Sequence, residues 1–200
     1  QFVNQHPDAP TVKFIEWNGH VYALAGKRLY RILTPTSLEV VNDGTGIHEL
    51  PADGTDMILV SKPGDVEPKL LVSLGNETPM ELWDGDTTWT PLGATETADR
   101  LCLHDNLWWR VSKNDTDGVF VQGTLDYEDF ALAGTAGERP QVGDNRFLGR
   151  QIFSWKGQLY VAKIDGLYVV TYADTYPADG AKIQCNRILN LESEINRYNF

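Results

Sequence analysis

Trp17-Asn18-Gly19-His20-Val21-Tyr22-Ala23, followed by Leu29-Tyr30, returns 138 positions later (155 minus 17) as Trp155-Lys156-Gly157-Gln158-Leu159-Tyr160-Val161, followed by Leu167-Tyr168. Trp, Gly, the first Tyr and the Leu-Tyr pair keep their spacing. Self-similarity that includes turn glycines and large rings marks a repeat architecture. Two weaker units lie between, anchored on Leu82-Trp83 and Val119-Phe120. The aromatic anchors Tyr30, Trp83, Phe120 and Tyr168 are separated by 53, 37 and 48 residues (83 minus 30, 120 minus 83, 168 minus 120). A four-stranded propeller blade takes ~40–50 residues. The expected fold is all-β: a β-propeller of four-stranded antiparallel blades, four in this chain, which the length allows to close as a four-bladed ring but which are expected to be part of a larger one.

Working outward, each unit divides into short strands. The first has Val12 to Trp17, Val21 to Ala25, Arg28 to Leu33 and Leu38 to Val41. The second has Met57 to Val60, Leu70 to Leu74, Met80 to Trp83 and Trp89 to Leu92. The third has Arg100 to Leu103, Leu107 to Val111, Val119 to Gln122 and Asp129 to Ala133. The fourth has Gln151 to Trp155, Gln158 to Ile164, Leu167 to Tyr172 and Lys182 to Cys185. Asn18-Gly19 and Asp84-Gly85 between apolar runs are hairpin signals. The expected blades are residues 11–44, 55–94, 97–134 and 146–185, after a linker over 1–10. Residues 186–200 are expected to be a short helix or the start of a further blade. Neither a signal peptide nor an initiating Met opens the sequence, which predicts a chain taken from within a longer product.

Composition narrows the function. With 17 basic and 28 acidic residues the formal charge is −11, and nucleic-acid affinity rests on Lys and Arg neutralising phosphates. Nucleic acid is therefore not an expected partner. No apolar run reaches the ~18 residues that span a bilayer. Cys102 and Cys185, the two cysteines, have spacing for neither a disulfide framework nor a zinc site. They read as small buried hydrophobes, with a bridge between them left open. Asn76-Glu77-Thr78 and Asn114-Asp115-Thr116 match the glycosylation sequon, as polar turns often do by chance.

Asp99-Arg100-Leu101, then Asn106-Leu107-Trp108-Trp109-Arg110-Val111-Ser112, then Asp126-Tyr127-Glu128-Asp129-Phe130 form one phrase. It resembles the blades of β-propellers in bacteriophage tail and head–tail junction proteins. Phe147 to Val170, with Leu159-Tyr160-Val161, Lys163 and Gly166-Leu167-Tyr168, is similar to the next blade of that family. The resemblance covers residues 98–172 in detail and 11–93 only as generic blades. It implies a structural or adhesive virion component and no enzymatic activity.

No catalytic constellation emerges. Asp84-Gly85-Asp86-Thr87-Thr88-Trp89 approaches the hairpin of sialidase-type propellers, but Met80-Glu81-Leu82 stands where that pattern needs serine and aspartate. Its carboxylate reads as a turn cap and its Trp as packing. Lys113-Asn114-Asp115-Thr116-Asp117-Gly118 evokes a calcium loop, yet Lys113 and Thr124 occupy positions that demand acidic ligands. Of His6, His20, His48 and His104, His104 alone lies near a cysteine, Cys102, in a pair without a third partner. Trp108-Trp109-Arg110 is the candidate binding triplet. Adjacent strand residues face opposite sides, so each ring packs on a different neighbour, unless one stands at an open edge where aromatic and Arg anchors dominate binding.

The expectation is a non-enzymatic structural and interaction module of a phage virion, without metal or cofactor. Its partners would be other virion proteins, further copies within a symmetric assembly, or a host-surface glycan or receptor. The loops Asp43 to Thr55, Ser61 to Lys69 and Gly134 to Asn145 would do the docking. The alternative is a glycan-binding or degenerate glycoside-hydrolase-like propeller of a secreted or surface protein. An intracellular scaffold propeller fits least, since the Trp-Asp signature is missing.

Overall fold

The computed structural model describes residues 11–130, 138–178 and 182–190. Among them there is no helix. Four antiparallel sheets follow one another along the chain, each built of neighbouring strands in sequence order. Two compact units divide them at Thr97/Ala98.

The first unit holds two sheets. β1 (Thr11–Trp17), β2 (His20–Ala25), β3 (Arg28–Thr34) and β4 (Ser37–Val40) form the first. β5 (Asp56–Val60), β6 (Lys69–Ser73), β7 (Glu81–Trp83) and β8 (Trp89–Pro91) form the second. Register puts Ile15 opposite Tyr22, and Leu24 opposite Leu29, so period-2 alternation collects these side chains on one face. That face meets Met57, Leu70, Val72 and Trp83 in a single core. Trp17 is its wedge: 4% exposed, edge-on to Trp83 at 5.2 Å, and so close to Gly85 that a Cβ there would lie 2.4 Å from the ring. Edge-on aromatic pairs of this kind add ~0.5–1.5 kcal/mol beyond their buried area.

The second unit has β9 (Arg100–His104), β10 (Leu107–Asn114) and β11 (Gly118–Thr124) in one sheet. β12 (Gly149–Trp155), β13 (Gln158–Lys163), β14 (Gly166–Tyr172) and β15 (Ile183–Asn190) form the other. Trp109, Val111, Val119 and Val121 pack on Ile152, Leu159, Val161 and Tyr168. The fourth strand expected at Asp129 to Ala133 is not found where it can be judged. Asp129 and Phe130 lie in a turn, and 131–133 fall outside the described residues. Pro140 to Val142 run along β11 instead: the N–H of Val142 donates to the Val119 carbonyl at 2.7 Å, and Phe120 bridges Gln141. The short helix expected over the tail is corrected as far as Asn190, because Asn186 to Asn190 extend β15; residues 191–200 lie outside the described residues.

The internal repeat is closer in structure than in sequence. Adding 138 to the bounds of β1, β2 and β3 gives those of β12, β13 and β14. The register follows: Ala23 pairs with Tyr30 as Val161 pairs with Tyr168. Even the irregularity is copied, between Thr11 and Lys13 and again between Gly149 and Gln151. Both first hairpins turn through two residues of positive φ, Asn18-Gly19 (50° and 72°) and Lys156-Gly157 (50° and 73°). This is the signature of the turn whose twist matches paired strands. Asp105-Asn106 does the same between β9 and β10, at 50° and 60°. The copies part at the fourth strand, since 138 added to β4 gives residues 175–178, ahead of β15. They part also in surroundings: Trp155 is 55% exposed where Trp17 is buried.

Candidate binding surfaces

Trp108-Trp109-Arg110 divides as strand alternation requires. Trp109 is sealed in the second unit's core, stacked on Tyr176 at 5.1 Å. Arg110 is equally buried and works inward. Its Nη2 donates to Gln122 Oε1 at 2.8 Å, and its guanidinium lies 4.5 Å over the Phe130 ring. Gln122 in turn donates to the Phe130 carbonyl at 2.9 Å. Arg110 therefore clamps the acidic turn Asp126 to Phe130 onto the sheet. Neither side chain offers surface to a ligand. Trp108 keeps part of its surface, edge-on to Tyr127 at 5.2 Å.

The other sequence candidates resolve locally. Asp84 Oδ1 accepts the N–H groups of Asp86 (2.9 Å) and Thr88 (3.1 Å). Burial pushes its pKa up, but these donors outweigh burial and hold it below the ordinary value. It is a turn cap. Asn114 Oδ1 likewise accepts from Thr116 and Asp117, at 3.0 and 2.6 Å, closing the loop on itself. Among the described residues, no group of three or more His, Cys, Asp or Glu is placed to hold a metal ion. Cys102 and Cys185 are unbridged, and burial pushes the Cys185 thiol up to about 12.

Two histidines find partners that spacing did not reveal. His48 stacks on Trp89 at 4.2 Å and its Nε2 meets Glu81 Oε2 at 2.7 Å. His104 is tied to residues other than its expected partner: its Nδ1 meets Ser154 Oγ at 2.8 Å and its Nε2 lies 3.4 Å from Asp105. The Asp105 side chain is 63% exposed and also accepts from the Tyr172 hydroxyl at 2.9 Å. A carboxylate so well solvated fixes an imidazole weakly, so the string is best described as a tie between the β9–β10 turn and β12.

Each unit carries a shallow cleft. In the first, Tyr22, Arg31, Glu39, Asn42, Trp83 and Asp86 line about 170 Å³. Tyr22 and Trp83 form an aromatic floor with centroids 5.4 Å apart. Arg31 Nε donates to Glu39 Oε2 at 2.9 Å along one wall. Burial raises the Tyr22 pKa, with Arg31 opposing it. The guanidinium–carboxylate pair and the Asn42 amide offer polar contacts to a small hydroxylated group, above rings that are themselves buried; the volume is below the ~300 Å³ of ordinary small-molecule pockets. In the second unit, Asp105, Leu107, Leu125, Tyr172, Asp174 and Tyr176 are among the residues lining about 420 Å³. Nothing in the sequence joins these positions, because the β14–β15 connection brings them together.

Ser61 to Lys69 is an exposed loop, with Val66 98% exposed. Asp43 to Thr55 is split, with an exposed turn at Asp43 to Gly46 and a Leu50 buried in the first unit's core. Residues 134–137 of the third loop lie outside the described residues. Among the described residues, no helix is long and apolar enough to cross a membrane. Comparison with protein-family models gives no match. No curated protein matches the chain either.

Proposed function

We propose that the chain is a run of β-propeller blades forming a non-enzymatic structural and interaction module of a bacteriophage virion, associated with its tail. The observation that carries the blade reading is the three-strand unit repeated at 138 positions with its register, hairpin and irregularity intact. Face-to-face stacking of successive sheets inside each unit supports it as well. The viral part rests on the resemblance of residues 98–172. Rigid sheets presenting exposed loops, Ser61 to Lys69 foremost, suit docking to other virion subunits or to a host surface. Mass spectrometry of purified particles tests this: the chain is expected in them at a small symmetric copy number. Its presence only in particle-free supernatant would defeat the viral assignment.

A second reading, a glycan-binding module of a secreted or surface protein, is favoured by the cleft at Tyr22, Arg31 and Asp86. Saturable binding on a glycan array, lost in Arg31→Ala and Asp86→Ala, would select it.

A further inference from the structure

The two copies of the repeated unit differ in one respect that the rest of the fold does not explain. On the first sheet, the face bearing Ile15, Trp17 and Tyr22 is covered by the sheet that follows. Trp83 sets its ring against Trp17 and Tyr22 at 5.2 and 5.4 Å. Lys13 reaches Asp56 at 2.6 Å, and Asn18 at the hairpin tip donates to Glu67 at 3.2 Å. The corresponding face of the last sheet bears Phe153, Trp155 and Tyr160, with Phe153 and Tyr160 stacked at 5.4 Å. Lys156, in the place of Asn18, lies 4.5 Å over the Trp155 ring, and Trp155 stays 55% exposed.

The opposite face of the first sheet carries the complement. Phe14 pairs with Ala23, and Glu16 with Val21, so Phe14, Glu16 and Val21 share one side. Phe14 is 60% exposed and Val21 is exposed beside it. Within each unit, sheets stack with unlike faces together. These two corners are unlike faces of that kind, each left exposed on its own unit. Their charges match, a lysine beside Trp155 and a glutamate beside Phe14, against a formal charge of −11 that opposes indiscriminate association.

We propose that the β12–β13 corner of one copy seats on the β1–β2 corner of a second copy, with Trp155 against Phe14 and Val21, and Lys156 facing Glu16. The contact is head to tail, so repetition builds a ring or an open series. It rests on the blade reading proposed above and not on the viral assignment.

Sedimentation velocity across the micromolar range tests it. Wild type is expected to associate, while Trp155→Glu and Phe14→Glu are each monomeric and keep the wild-type far-ultraviolet circular dichroism. Their equimolar mixture is expected to form a heterodimer, since one intact corner of each kind remains. Lys156→Glu is expected to weaken association and Glu16→Lys in the same chain to restore it. A monomeric wild type, assembly by either single variant, or a mixture that stays monomeric would overturn the proposal. The blade reading fails separately, if Trp17→Ala leaves the stability of the first unit unchanged.

Discussion

Trp17 and Trp155 occupy the same position of the same hairpin and have opposite energetic roles. Trp17 ends β1 under Trp83 and Gly85, and removing a buried indole costs ~3–5 kcal/mol in lost transfer energy and cavity. Trp155 ends β12 in solvent, and a surface substitution moves stability by only ~0.5 kcal/mol. Equilibrium urea unfolding of Trp17→Ala and Trp155→Ala, at concentrations below the onset of association, is expected to show that asymmetry; equal losses there would mean the two sites are covered alike within one chain. Acid reads a second pair of residues. The Thr45 hydroxyl and N–H hold the Asp43 carboxyl at about 2, and the Arg146 side chain does the same for Asp144, from an ordinary 3.8. A depressed carboxyl pKa stabilises the folded state above the unfolded value and loses that effect as pH falls through the folded one. The melting temperature is therefore expected to drop between about pH 4 and about pH 2. Asp43→Asn with Asp144→Asn is expected to flatten that segment of the profile.

At the scale of the element, the hairpins were the most legible part of the chain. Turn chemistry is local: Asn18-Gly19 and Lys156-Gly157 each need two residues of positive φ, and glycine supplies the second without strain. A Cβ added to either glycine would meet nothing within 4 Å, so alanine there carries only the backbone cost of the left-handed region, ~1–2 kcal/mol. Gly19→Ala and Gly157→Ala are expected to lower stability by similar amounts in urea titrations. Unequal losses would show that the turns are not equivalent. What the sequence hid is set by partners far along the chain. His48 meets Glu81, Pro140 to Val142 take the edge of β11, and β15 runs on past Cys185 to Asn190. Arg110 reads as a surface anchor by residue type, yet Gln122 and Phe130 enclose it. Period and turn signals report which strands form; which face is covered depends on the next sheet.

At the scale of the whole molecule, the surplus of carboxylates decides how the remaining cations behave. Lys13 is paired with Asp56, Arg31 with Glu39, Lys69 with Asp65, Arg139 with Asp117 and Arg146 with Asp144. Two further cations point inward: Arg110 onto Gln122, and Lys163 onto the carbonyls of Val142 and Asp144 at 2.5 and 2.7 Å. Burial lowers the Lys163 pKa, with Asp165 acting against it. Binding to a phosphate backbone gains its free energy by releasing counterions, which requires several cations aligned on one surface and available to phosphate. Here most described cations already neutralise a neighbouring carboxylate or sit in the interior, and the formal charge is −11. Neither double-stranded DNA nor single-stranded RNA is expected to be retarded by this chain in a gel-shift titration at low salt, the condition that most favours such binding. Retardation that fades as salt rises would mean that the ion pairs open to admit phosphate, and that charge balance is a poor guide to this surface.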